Sequence, residues 1–275
     1  MRIAITSDLH YDPKGRLTKP LLIQGLAGQI AAEEPDAVIL AGDLAHGRRG
    51  FEECLSCFTT IRVPLAVIAG NHDIWADEEE GYSSDELWGH LLERTTRQHG
   101  ALWLEKEKLV LGETGIVGSL AWYDYSAVDP SIATNEDFLE AMKSSLNNDA
   151  NWIDWNRNDR DFANELNQAM LVRLEELAAD PQIRNILVVT HVPIVEEQIV
   201  RKPQDRRWGL SNAYFGNLTL GREVMKQPRA VGNFGIEERR IRRQRLFLKN
   251  IERRPSDDFV FQRLGQRLLV HDRAA

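Results

Sequence analysis

Only two of the 275 residues are cysteine, Cys54 and Cys57. That scarcity excludes a disulfide-stapled fold and a thiolate cage as organising principles. The pair forms a lone C-x-x-C in a segment that reads as helix, where positions i and i+3 share a face, and no second ligand pair accompanies it. Long apolar runs are also missing: no 18-residue apolar span occurs, and no apolar stretch of signal-peptide length follows Met1. The chain therefore offers nothing from which a membrane helix would form, and the expectation is a cytoplasmic protein with no membrane partner. A positive excess is lacking as well. The net charge of −8 argues against a protein that coats nucleic acid, which enters only as a candidate substrate. Internal repeats and low-complexity tracts are absent, so solenoid and linker architectures drop out.

What remains is ordinary globular composition, 43% hydrophobic and 28% charged, in a chain long enough to bury a full interior. Short apolar runs alternate with helical segments. Residues 2–7, 37–40 and 65–68 read as strands, with helices over 19–33 and 51–60 between them. Unbroken apolar strands of this kind are buried on both faces. A helix is expected over 84–98. Extended runs at 101–104, 107–111 and 115–120 then follow without intervening helices, which suggests a second, more antiparallel sheet. Residues 123–158 are rich in Asp, Asn and Trp and read as an insertion. A helix over 160–179 leads to one more buried strand at 186–189, and 212–226 reads as helical.

Polar residues of metal-binding type gather at the carboxyl ends of these strands, where open α/β sheets collect ligands. Asp8 and His10 follow the first strand, Asp43 the second, Asn71, His72 and Asp73 the third, and His191 the later one. Carboxylate, imidazole and amide oxygen form a hard-to-borderline donor set that suits manganese, iron or zinc. Taken singly, a D-x-H pair is a turn, an Asp after Gly is a cap, and a buried His is a packed core residue. Their recurrence at successive strand ends favours a shared site.

Ser7-Asp8-Leu9-His10, Gly42-Asp43, Gly70-Asn71-His72-Asp73 and Thr190-His191-Val192-Pro193 resemble four of the five blocks of the calcineurin-like metallophosphoesterases. That resemblance implies a four-layer α/β/β/α sandwich, two mixed sheets flanked by helices, and hydrolysis of a phosphomonoester or phosphodiester by a hydroxide bridging two divalent or trivalent metal ions. It implies that Asp8 and His10 hold one ion, that Asp43 bridges, and that Asn71 and His191 hold the other. His72 is then the group that meets the leaving oxygen, and Asp73 the one that orients its ring.

The fifth block of that family, G-H-x-H, is missing. After Pro228 the only histidine is His271, and the charge changes sign: 14 of the 34 Lys and Arg but 7 of the 42 Asp and Glu fall in residues 222–275. The chain is accordingly divided into a metallophosphoesterase domain, 1–228, and an atypical basic segment, 229–275. Two readings of the tail stand. It is a divergence, with a basic helix near 236–254 in place of the last strands and His271 or His46 lending a ligand, or it is a shifted reading frame. Losing two imidazoles also leaves a second functional reading open, a catalytically silent scaffold that binds rather than turns over.

Other features have a functional and a bland reading. Arg48 and Arg49 fit a phosphate clamp or a solvated loop. Trp75, Trp122, Tyr123 and Tyr125 fit a pocket floor or ordinary packing. Trp152 and Trp155 are expected to anchor the insertion rather than cap the site. The arginines of 239–245 fit a polyanion patch or a solvated helix face. The substrate-selecting loops, 74–100 and 123–158, name no substrate beyond a phosphoester, and nothing points to a protein partner. Translating the coding DNA past residue 228 in the other two frames tests the tail: a G-H-x-H in either frame marks a shift, and its absence leaves divergence.

Overall fold

The computed structural model describes residues 1–12, 20–77, 79–234 and 247–250, the segments 231–234 and 247–250 as backbone only. The chain opens with β1 (Arg2–Thr6), α1 (Pro20–Ala32), β2 (Ala37–Ala41), α2 (Gly47–Ser56) and β3 (Leu65–Ile68). A 3-10 turn over His72–Ile74 precedes α3 (Ser84–Glu86), a π-helical turn over Leu87–Leu91, and α4 (Leu92–Gln98). Three strands follow, β4 (Leu102–Trp103), β5 (Leu109–Leu111) and β6 (Thr114–Ser119). Helices α5 (Glu136–Leu146), α6 (Asp149–Trp152) and α7 (Asp159–Ala179) then lead to β7 (Asn185–Thr190). The described chain finishes with α8 (Arg206–Ser211), α9 (Leu218–Val224), β8 (Ala230–Phe234) and β9 (Phe247–Asn250).

Alternation along the strands dictates the layering, because successive side chains of a strand point to opposite faces. Ile3 and Ile5 of β1, Ala37, Ile39 and Ala41 of β2, and Ala66 and Ile68 of β3 share one core with Ile116, Leu187 and Val189 of the second sheet. The residues between them, Ala4, Val38, Leu40, Leu65 and Val67, belong to a different core that includes Ile23, Ile30, Phe51 and Leu92 of the helices. On the far side, Val117, Ile186 and Val188 pack with Met170, Leu174 and Leu220. Helices, sheet, sheet and helices follow in that order, the four layers expected.

The first sheet runs β4-β3-β2-β1-β9 and the second β5-β6-β7-β8. Two expectations need correction. Leu102–Trp103 joins the first sheet, parallel to β3, and the second sheet is mainly parallel: only β5–β6 is antiparallel, while β6–β7 and β7–β8 are parallel. The tail also departs from the helix expected over 236–254. Phe247–Asn250 is a strand, antiparallel to β1, and residues 230–234 extend the second sheet. The remainder of that expected helix, the arginines of 239–245 and His271 lie outside the described residues. No helix among the described residues is long and apolar enough to cross a membrane.

Glu105, just after β4, ties the two sheets together at the end where their parallel strands finish. One oxygen accepts from the backbone N–H of Ala69 after β3 at 3.2 Å and from that of Leu120 after β6 at 2.7 Å. Burial raises its pKa from the ordinary 4.5 to about 7, against the pull of nearby Arg173 and the two N–H donors. Between about 4.5 and about 7 the folded chain thus keeps a proton that the unfolded chain has released. This group makes stability fall as pH rises through that window and leaves it level above. Glu105→Gln should therefore show a shallower decline of melting temperature between pH 4.5 and 7 than the parent; an identical slope would mean that Glu105 is already ionised in the folded state.

Candidate metal centre

The loops after β1, β2, β3 and β7 meet because their strands are parallel neighbours or face each other across the sandwich. The β1 loop continues alongside the β2 loop: Asp8 N–H donates to Gly42 C=O at 3.1 Å, His10 N–H to Asp43 C=O at 3.0 Å and Tyr11 N–H to Leu44 C=O at 2.8 Å. Asp8, His10 and Asp43 all adopt left-handed backbone, with φ of 52°, 42° and 54°. For residues with a Cβ this costs on the order of 1–3 kcal/mol each and is concentrated at functional sites. Two glycines make the approach sterically possible. A Cβ at Gly42, itself at φ 87°, would lie 2.6 Å from His191 Nδ1, and one at Gly70 would lie 2.0 Å from Asp43 Oδ1.

Asp43 is the centre of the cluster and has no exposed surface. Its Oδ1 accepts from the His72 backbone N–H at 3.0 Å and lies 3.3 Å from His191 Nε2. Its Oδ2 lies 3.8 Å from His10 Nε2 and 4.0 Å from His72 Nε2. Burial opposes its charge, but His191 and His72 hold the carboxyl well below the usual range. Asp8, accepting a hydrogen bond from the Ser7 hydroxyl, is raised by burial in spite of His191.

His191 brings the second sheet to the same point. Its backbone N–H donates to Ser119 C=O, and its Nδ1–H donates to Ala41 C=O at 3.0 Å. That bond fixes the tautomer, so Nε2 is the atom turned toward Asp43 Oδ1 and, at 3.2 Å, toward Asn71 Oδ1. In the absence of metal, burial opposes the imidazolium but Asp43 more than offsets it and pushes the pKa up to about 10.

The donors fit cations on their own geometry. Asp8 Oδ1 and Asp43 Oδ2 are buried with no hydrogen-bond partner among the described residues, a costly arrangement unless a positive charge stands beside them. Ligand atoms of Asp8, Asp43 and His191 lie within 4.8 Å of one another, as do those of His10, Asp43 and His72. Four of the five expected ligands fall in these two groups, with Asp43 common to both, and Asn71 adjoins them through its Oδ1, 3.2 Å from His191 Nε2. The grouping differs from the expected one, since Asp8 falls with His191, and His10 with His72.

Asp73 is buried, and its carboxylate accepts from Ala45 N–H at 3.0 Å and Gly70 N–H at 2.8 Å. Both oxygens thus brace the loops that carry the ligands. Burial and the neighbouring Asp43 raise its pKa to about 7. Trp75 stacks on His72 with ring centroids 3.6 Å apart. Trp152, from the segment 123–158, lies over Trp75 at 5.7 Å, meets His46 edge-on at 4.9 Å, and is 44% exposed. It therefore stands at the rim of the site and at the same time packs its segment onto the loops after β2 and β3. Trp155 does anchor, against Phe162 and Trp122.

The remaining candidates fall elsewhere. Arg48 and Arg49 pair with Glu52 and Glu53 one turn along α2. Trp122 and Tyr125 donate to buried Asp159 inside the core, and Tyr123 is packed between them. Cys54 and Cys57 are free thiols, both raised by burial. His46 is half-buried beside Ala76 C=O rather than among the ligands.

The model of the calcineurin-like phosphoesterase family matches residues 1–225. The chain belongs to that family. None of the curated proteins matches it in sequence. Among solved structures, the phosphopantetheinyl hydrolase of Mycobacterium tuberculosis superposes with a TM-score of 0.67 at 18% identity, over 84% of this chain and 80% of that one. A dimetal phosphatase from Danio rerio gives 0.46 at 14% identity, over 86% and 80%. The fold is the family's calcineurin-like α/β sandwich, and its general chemistry is metal-dependent phosphoester hydrolysis.

Gly70→Ala tests the packing around Asp43. Its methyl group must displace the carboxylate, so metal stoichiometry measured after equilibrium dialysis should fall sharply, with a stability loss of about 1–3 kcal/mol, the usual cost of overpacking. Parent-like metal content would show that Asp43 tolerates the displacement and is not the centre of the site.

Proposed function

We propose that this chain hydrolyses a phosphomonoester or phosphodiester at the Asp43 cluster. The observation that supports this most directly is a wholly buried carboxylate with imidazoles of three separate loops on its two oxygens. In this reading Asp8, His10, Asp43, Asn71 and His191 hold two ions of manganese, iron or zinc type, and Asp43 serves both. Bound there, the ions would acidify water and neutralise phosphoryl oxygens.

The chain's own groups supply the rest. His72 does not serve as a permanent ligand; it offers its Nε2, 4.0 Å from Asp43 Oδ2, to the oxygen of the departing group. The Trp75 ring behind it restricts the imidazole to one plane. Asp73 keeps Gly70 and Ala45 in place, and so fixes the spacing between the second and third loops. His191, its Nδ1–H taken by Ala41 C=O, keeps Nε2 aimed inward.

The missing G-H-x-H favours one competing reading, a scaffold that binds a phosphoester without turning it over. Aryl phosphate turnover by metal-loaded protein separates the two: EDTA-sensitive hydrolysis supports the enzyme, and tight binding without hydrolysis supports the scaffold. In the enzyme, His72→Ala should retain its metal and lose roughly 10²- to 10⁴-fold in turnover, the usual contribution of a general acid. A parent-like rate in that variant would remove His72 from the chemistry.

A further inference from the structure

Asn71 poses a problem that the ligand set alone does not solve. A carboxamide has two ends of similar shape, and only its oxygen is a metal donor; the NH₂ end would present hydrogens to the site. Something must hold the amide the right way round. Asp149, from the insertion and 78 residues away, does this: Asn71 Nδ2 donates to Asp149 Oδ1 at 2.8 Å. That oxygen also faces a donor-only indole N–H and so is an acceptor; it captures the NH₂ end and leaves Asn71 Oδ1 toward His191 Nε2.

The same Asp149 oxygen accepts from the Trp75 indole N–H at 2.7 Å, and Trp75 is the ring stacked on His72. One atom of the insertion thus sets both a ligand amide and the wall behind the leaving-group histidine. The insertion is itself fastened to that loop. Ala76 N–H donates to Trp152 C=O at 2.8 Å, Ser84 N–H to Asp154 C=O at 3.2 Å, and Asp154 N–H to Ser84 Oγ at 2.9 Å. Asp149 is 1% exposed, and the buried Tyr123 side chain faces the same carboxyl group. Burying a carboxyl group is costly unless its contacts compensate, and two of those contacts go to Asn71 and Trp75.

We propose that Asp149 is a positioning residue of the metal centre, which orients the Asn71 amide oxygen toward the cation shared with His191 and the Trp75 ring against His72. The inference rests on the metal-centre reading above. It assigns the inserted segment a function: the insertion supplies an outer contact that completes the centre.

Titration calorimetry of chelator-stripped full-length protein with Mn²⁺ tests it, alongside melting temperature. The parent should take up Mn²⁺; a parent that binds none sinks the metal-centre reading itself. Asp149→Ala should weaken one binding event 10- to 100-fold, the usual effect of removing a contact behind a ligand, and leave the other nearly unchanged. A folded Asp149→Ala with parent affinity for every ion overturns the proposal while leaving the metal centre standing. If that variant does not fold, Asn71→Asp compared with Asn71→Asp/Asp149→Asn provides a second test. Two facing carboxylates should lower the metal-free melting temperature, and the double variant should recover it by restoring an amide-to-carboxylate bond in reverse. Equal melting temperatures and equal Mn²⁺ affinities in the two would show no coupling between the positions and overturn the proposal.

Discussion

A carboxylate with no exposed surface must be matched by positive charge where it stands, and Asp43 imposes that requirement on everything around it. Three imidazoles approach its oxygens from three other loops. The backbone bends to allow it, with Asp8, His10 and Asp43 in left-handed conformations and with Gly42 and Gly70 present where any side chain would collide with His191 or Asp43. Each of these features is unfavourable in isolation. Together they describe loops shaped around cations rather than around their own stability.

The sandwich makes such a cluster possible. Parallel β1, β2 and β3 deliver their loops side by side, while β7 delivers His191 from the opposing sheet. Glu105 sutures the ends of β3 and β6 with one oxygen, and Asp73 sutures the second and third loops with two. Acids therefore appear in two capacities: half-buried Asp8 and buried Asp43 face the proposed ion site, and buried Glu105, Asp73 and Asp149 hold backbone or side chains around it.

The strand ends were legible in the sequence because fully buried parallel strands read as unbroken apolar runs, and the polar residues directly after them stand out. Asp8, His10, Asp43, Asn71 and His191 could be picked out for that reason. Sheet membership was not legible for Leu102–Trp103, since a two-residue strand carries no pattern that names its partner. The tail misled because Phe247–Asn250 sits among arginines at helical spacing, whereas pairing with β1 decides its conformation. Asp149 was missed for a different reason: an Asp after two Asn reads as a helix cap, and only the folded segment 123–158 brings it to Asn71. The one hint was Trp152, three residues on in a polar segment, where an aromatic ring has little reason to stand unless it packs on something.

Asp43 as the centre of a cation site is tested most directly by anomalous X-ray scattering from crystals of the protein saturated with Mn²⁺. The account predicts strong manganese peaks in contact with the Asp43 carboxylate, flanked by Asp8, His10 and His191. A well-ordered Asp43 with no manganese beside it at saturating concentration, or manganese bound only elsewhere on the chain, would contradict it.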